Sequence, residues 1–171
     1  SVAWRRPASP FVKLNTDASV SEGSAYGGGL LRNHEGRLIF AYYKAFREAD
    51  VLLAESLSLL YGLQICEDRM VDNLIVEVDS KSMVRLVTSK TVSKWPLCNV
   101  LRRIRALLCD FSSSVTNIFR EANRSADKLA AMRSSSDLFC TSLQQLPGAV
   151  RATIRLDSRE CSFLHVQIIR E

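Results

Sequence analysis

The segment LIVEVDSKS, Leu74 to Ser82, governs how the rest of the chain is read. Leu74, Ile75, Val76 and Val78 are β-formers of the kind that fill a sheet buried between covering layers. The run nevertheless closes on Glu77 and Asp79, two carboxylates on the same side of a strand whose side chains alternate with period two. Unpaired charge is costly in an apolar interior, so an acid at the end of a core strand needs a partner or a task. The stretch SKSMVRLVTSK, begun by Ser80, follows at once as a short helix, and strand followed by helix is the unit from which α/β sheets are built.

Upstream, FVKLNTDAS alternates Phe11, Lys13 and Asn15 against Val12, Leu14 and Thr16, which predicts a strand to about Ser19. VSEGSAYGGG is expected to be a loop whose triple glycine either opens the next strand or lets another backbone approach. GGLLRN and RLIFAYYKAF flank HEG, a short turn ending in Gly36, and should pair as an antiparallel hairpin. From Asp50, a plausible cap, to about Arg69 the chain is proline-free and apolar nearly all round, as in a helix packed on more than one side. Downstream come a helix with Pro96 in its first turn, a strand in SVTNIFRE and a helix over NRSADKLAAM capped by Asn123. In the tail, DLFCTSLQQLPG reads as a short helix, and RATIRL and FLHVQIIR as weak strands. The order β-β-β-α-β-α-α-β-α predicts an α/β three-layer domain. A three-strand meander is followed by strands entering parallel through helical crossovers, with helices on both faces. The expected divisions are an extended lead-in over 1–10, the domain over 11–133 and a C-terminal extension over 134–171.

With 171 residues, 47% apolar and 24% charged, the chain is long enough to bury one sizeable core. No apolar run approaches the roughly 20 residues that span a bilayer and no amino-terminal signal pattern is visible, so no membrane partner is expected. The chain opens on Ser1 and is expected to be a monomeric domain of a larger protein. A net charge of +5 permits a polyanion partner without demonstrating one. Cys66, Cys98, Cys109, Cys140 and Cys161 are scattered without metal-ligand spacing. They suggest a reducing intracellular compartment, nucleus or cytoplasm ahead of an organelle, with neither structural zinc nor a disulfide framework.

Four acids stand out, each with a plain explanation of its own. Asp17, late in the first strand, suits a strand-terminal turn. Glu55, in the most apolar helix, suits a solvated edge. Asp79 suits a cap for the helix after it, and Asp127, in the first turns of its helix, suits the macrodipole. Four acids on four elements able to converge at one sheet edge do not share an explanation of that kind. Gathered carboxylates repel and need a cation, and hard oxygen ligands select magnesium or manganese. Two such ions about 3.5–4 Å apart clamp the attacking and leaving oxygens in phosphodiester hydrolysis.

KLNTDAS, GGGLLRNHEGRLI, AESLSLLYGL, VEVDSKSMV and FREANRSADKLA also occur in the order seen in ribonuclease H domains. From about Trp4 to Met132 the chain resembles the plant ribonuclease H-like domain, related to that of plant non-LTR retroelement polyproteins. The resemblance implies a mixed sheet of five strands in the order 3-2-1-4-5 and an active site made of Asp17, Glu55, Asp79 and Asp127. Two Mg²⁺ ions, with Mn²⁺ as substitute, would be bridged by Asp17. Glu55 would serve the ion near the leaving group and scissile ribose, and Asp79 with Asp127 the ion that activates water. The implied activity is cutting of the RNA strand of an RNA/DNA hybrid to leave 5′-phosphate and 3′-hydroxyl ends.

A hybrid is read by backbone shape and 2′-hydroxyls. Candidate contacts are Asn15, Ser19 and Ser80 beside the acids, and Lys81, Arg85, Arg102, Arg103, Arg105, Arg120 and Arg124 for phosphate. Arg102, Arg103 and Arg105 read equally as a solvated helix face. Two positions depart from the family pattern. Asn117 stands where plant members usually carry His, which implies slower turnover because Asn cannot titrate; Ala18 stands where glycine is frequent. Two other readings stay open: a non-catalytic nucleic-acid-binding or protein-interaction domain on the same fold, and a metal nuclease acting on another nucleic acid.

Overall fold

The computed structural model describes residues 3–89 and 93–168, with side chains as far as Arg159. Its strands are β1 (Val12–Ser21), β2 (Ser24–Arg32), β3 (Leu38–Glu48), β4 (Leu74–Val78), β5 (Val115–Asn117) and β6 (Leu138–Cys140). Its α-helices are α1 (Val51–Asp68), α2 (Lys81–Thr88), α3 (Leu97–Asp110), α4 (Arg124–Ala130) and α5 (Gly148–Ile168). The strands form one sheet in the order β5-β4-β1-β2-β3-β6. This is the expected 3-2-1-4-5 arrangement with one more strand, β6, laid antiparallel on β3. β1, β2 and β3 make the antiparallel meander, and β4 and β5 enter parallel.

Two apolar layers cover the sheet. Leu14, Phe40, Tyr42 and Val76 pack beneath Leu59 and Leu63 of α1 and Leu101 and Ile104 of α3. On the other face Leu30 and Ala41 pack with Leu129 of α4 and with Val150 and Ile154 of α5. Local signals set the helix starts. Asp50 accepts the Leu53 N–H at 2.8 Å and Ser80 accepts the Met83 N–H at 3.1 Å, each satisfying a donor that a helix start leaves orphaned.

Several expectations are corrected. VSEGSAYGGG is no loop: a tight turn at Glu22 and Gly23, both with positive φ, joins β1 directly to β2. The glycine run belongs to β2 because helices press on it. A Cβ at Gly28 would strike the Ala130 nitrogen and Leu129 of α4, so glycine there lets α4 lie against the sheet. The lead-in is extended but not peripheral, since Trp4 is fully buried. In the tail, DLFCTSLQQLPG divides into β6 at Leu138–Cys140 and the expected short helix, of 3-10 type, at Leu143–Gln145, while RATIRL with the first part of FLHVQIIR lies in α5; Ile169 to Glu171 fall outside the described residues. Buried Val150, Ile154 and Asp157 recur at helical spacing, and that stripe, not the β-branched content, decides the segment.

Candidate active site

The four acids are carried to one end of the sheet by the elements just described. Asp17 sits on β1 opposite Gly28 of β2, the residue whose missing side chain admits α4 and with it Asp127. Asp79 follows the last residue of β4, the strand beside β1. Glu55 comes from α1, which lies tightly on β1: a Cβ at Gly62, two turns on, would come 3.3 Å from Leu14 and Thr16. Thr16, Asp17, Glu55, Val78, Asp79, Ser80 and Met83 line one small pocket.

Electrostatically the site is under-compensated. Burial, together with the negative charges of Asp79 and Asp127, raises the Asp17 carboxyl to about 8 against the single opposing backbone bond from Ala18 N–H. Burial also raises Glu55, with Asp79 adding to it, while a hydrogen bond from Ser80 opposes. Asp79 is raised by burial and by Asp127 and held down by its own N–H, by Arg120 and by a hydrogen bond from Asn123. Asp127 lies 3.5 Å from the exposed Arg120 guanidinium. Among the described residues no group of three or more Asp, Glu, His or Cys side chains is arranged to hold a metal ion.

The other anticipated contacts divide. Lys81 and Arg85 are exposed on α2, Arg102 and Arg103 are exposed on α3, and Arg120 is exposed beside the acids. Ser80 touches Glu55, and Ser19 accepts from Arg133 at 3.1 Å. Three assignments are corrected. Asn15 is completely buried, so its amide cannot touch a nucleic acid. Arg105 turns its guanidinium onto the carbonyls of Leu86, Val87 and Ser89, the end of α2. Arg124 reaches the buried Asp157 at 3.5 Å.

Asn117 donates to the Val78 carbonyl at 3.5 Å, at the edge of the same sheet end. Glu77, the companion of Asp79 in sequence, is neutralised by Lys13 at 3.1 Å and bonded by Asn15. The residue that sequence reasoning missed is Asn123. It stands at the start of α4 but makes no side-chain cap. Its amide is buried, donating to Thr16 O at 3.0 Å, and it helps hold the Asp79 carboxyl down. The only available signal was an Asn four residues before an acid already in the set.

A reverse transcriptase-like family model matches residues 15–133. The chain belongs to that family. It is a ribonuclease H-like domain, and its relatives agree. A protein of Arabidopsis thaliana named "Putative ribonuclease H protein" is 29% identical over 92% of this chain, which spans only 26% of that larger protein. RNase H1 of the halophilic archaeon Halobacterium salinarum has the same fold, with a TM-score of 0.64 at 24% identity over 72% of this chain and 98% of its own. The amino-terminal RNase H domain of a Mycobacterium tuberculosis protein gives 0.64 at 22%, over 77% and 93%. LC11-RNase H1, whose structure is in complex with an RNA/DNA hybrid, gives 0.60 at 23%, over 69% and 92%. Among the described residues of this ribonuclease H-like domain, no helix is long and apolar enough to cross a membrane.

Proposed function

We propose that this ribonuclease H-like domain is a divalent-metal-dependent endonuclease that hydrolyses the RNA strand of RNA/DNA hybrids. The observation that carries the proposal is the gathering of Asp17, Glu55, Asp79 and Asp127 at one sheet end, where the Asp17 carboxyl is pushed up to about 8 by burial and like charge. Such a site is short of positive charge, and its donors are all hard carboxylate oxygens, the set that suits Mg²⁺ or Mn²⁺. Asp17, Glu55, Asp79 and Asp127 would hold the ions, which would polarise the scissile phosphate and lower the pKa of the attacking water.

The chain's own residues then orient and attract. Ser80 and Asn123 stand against Glu55 and Asp79 respectively, and each favours the ionised form of its acid. Arg120, paired with Asp127 when nothing is bound, is placed to meet phosphate. Lys81 and Arg85, exposed on the helix that begins beside Asp79, extend the positive surface. Asn117 cannot carry a proton, so departure of product proceeds without a titrating side chain at that position.

The test uses purified protein with labelled RNA/DNA hybrid, RNA duplex and DNA duplex, each in Mg²⁺, Mn²⁺ or EDTA. The expected result is metal-dependent cutting of the hybrid's RNA strand alone, lost in Asp79→Asn. Hybrid binding without cutting under every metal condition would overturn it and favour a non-catalytic binding domain.

A further inference from the structure

A second buried polar cluster lies beyond the acids, at the start of β1, and a run of hydrogen bonds links it to Asn123 and the Thr16 carbonyl, next to Asp17. It begins on α5, outside the residues matched by the family model. The Asp157 carboxylate, fully buried, accepts from Arg32 at 2.8 Å, from the Ser125 hydroxyl at 2.7 Å and from Arg124 at 3.5 Å. Arg32 lies flat on the Trp4 ring, 3.6 Å from its centroid, and its second nitrogen donates to Asn15 Oδ1 at 3.4 Å. The Trp4 indole N–H donates to the same oxygen at 3.0 Å.

With two donors on its oxygen, the Asn15 amide has one permitted polarity, because its carbonyl only accepts and its NH₂ only donates. Its NH₂ therefore faces away, donating to Glu77 at 3.1 Å and to Asn123 Oδ1 at 3.2 Å. That contact sets the Asn123 amide in turn: its oxygen is engaged, so its NH₂ faces the carbonyl of Thr16, the residue before Asp17, at 3.0 Å. Reversing Asn15 would set carbonyl against carbonyl at Asn123 and NH₂ against two donors at the other end. Buried networks of this kind respond as a unit.

We infer that Asp157 is a positioning residue for the active site: through Arg32 and Asn15 it fixes the amide polarity by which Asn123 offers an N–H to the Thr16 carbonyl, beside Asp17. The carboxyl-terminal helix thereby becomes part of the machinery rather than a cover for the sheet. The inference rests on the hybrid-cutting reading for its kinetic consequence and not for its structural one.

Asp157→Asn in the full chain tests it, with two readouts: the side-chain amide NMR signals of Asn123, assigned by their loss in Asn123→Asp, and steady-state hybrid cleavage. The expected result is displaced Asn123 signals and a kcat lowered about tenfold to hundredfold with little change in KM, the scale of loss seen when partners of metal ligands are removed. Val150→Ala, which loosens the same helix without touching the network, should lower Tm yet leave both readouts at wild type. If Asp157→Asn fails to fold, Ser125→Ala removes one donor to the carboxylate and should give the same displacement at smaller amplitude. Asn123 signals and kcat unchanged in Asp157→Asn, or altered equally in Val150→Ala, would overturn the inference. Displaced Asn123 signals in a protein whose wild type cuts no hybrid would instead refute the hybrid-cutting reading and leave the positioning role standing.

Discussion

Asp17, midway along β1, and Asp157, packed near its start, are both buried aspartates, and their surroundings differ in kind. Asp17, 8% exposed, accepts one backbone N–H and faces the negative charges of Asp79 and Asp127. Asp157, 0% exposed, accepts from two arginines and a hydroxyl. A buried carboxylate that completes its own hydrogen bonds holds its neighbours in place. One left short, among like charges and open to a small pocket, is what a bound cation would stabilise.

The largest effect expected at the unsatisfied end is on activity. Asp79→Asn should reduce hybrid cleavage about 1000-fold, roughly 4 kcal/mol of transition-state stabilisation, as read by single-turnover kinetics. Because it removes repulsion, it should leave urea stability equal or higher. Loss of activity together with a large loss of stability would erase the contrast with Asp157.

At the satisfied end the effect is on folding. Asp157→Ala leaves Arg32, 1% exposed, without its buried counter-charge and should cost about 3–5 kcal/mol in urea unfolding. Replacing the pair together with apolar residues, Arg32→Met with Asp157→Leu, should recover most of that loss. Failure to recover would mean that Arg124 and Ser125 need the carboxylate as much as Arg32 does.

The pH dependence of stability sharpens the comparison further. Asp17 rises from 3.8 to about 8 on folding, and Glu55 and Asp79 also shift upward, so the folded protein holds protons that the unfolded chain has released. The Asp17 contribution to stability is fully present below pH 4 and is lost as pH rises toward 8, with Glu55 and Asp79 acting in the same direction. Urea unfolding in EDTA should show that decline, Asp17→Asn should flatten it, and Mg²⁺ should offset it.

The smallest effect separates two arginines on one helix. Arg105→Ala should lower stability by about 1–2 kcal/mol by releasing the α2 carbonyls, with hybrid affinity unchanged. Arg102→Ala should leave stability alone and reduce the salt dependence of hybrid binding by about one phosphate contact. The opposite pattern would put Arg105 on the nucleic acid.

The same contrast explains what was legible in the sequence. The strands and helices from Val12 to Ala130 announced themselves because each buries a periodic apolar face and several begin on a side-chain cap. The acids announced themselves as charges that no local rule required together. Residues whose role depends on distant partners gave no such signal. Trp4 is one aromatic in an aperiodic stretch, and its value comes from Arg32 and Asn15 folding beneath it. Asn123 looks like an ordinary helix cap, yet the sheet end brings Thr16 and Asp79 closer to its amide than its own helix offers. The glycine run was ambiguous because loop flexibility and close helix approach both favour glycine, and only the packing of α4 decides for the strand. In α5, β-branched Val150, Thr153 and Ile154 masked a helical stripe that the buried Asp157 completes.

Calorimetric titration of the protein with Mn²⁺ near pH 7, repeated in buffers of different ionisation enthalpy, tests the central claim most directly. Saturable binding that releases protons, because the raised Asp17 must ionise to bind, and that disappears in Asp17→Asn is the predicted result. Absence of binding in the wild type, or binding that survives Asp17→Asn unchanged, would contradict it.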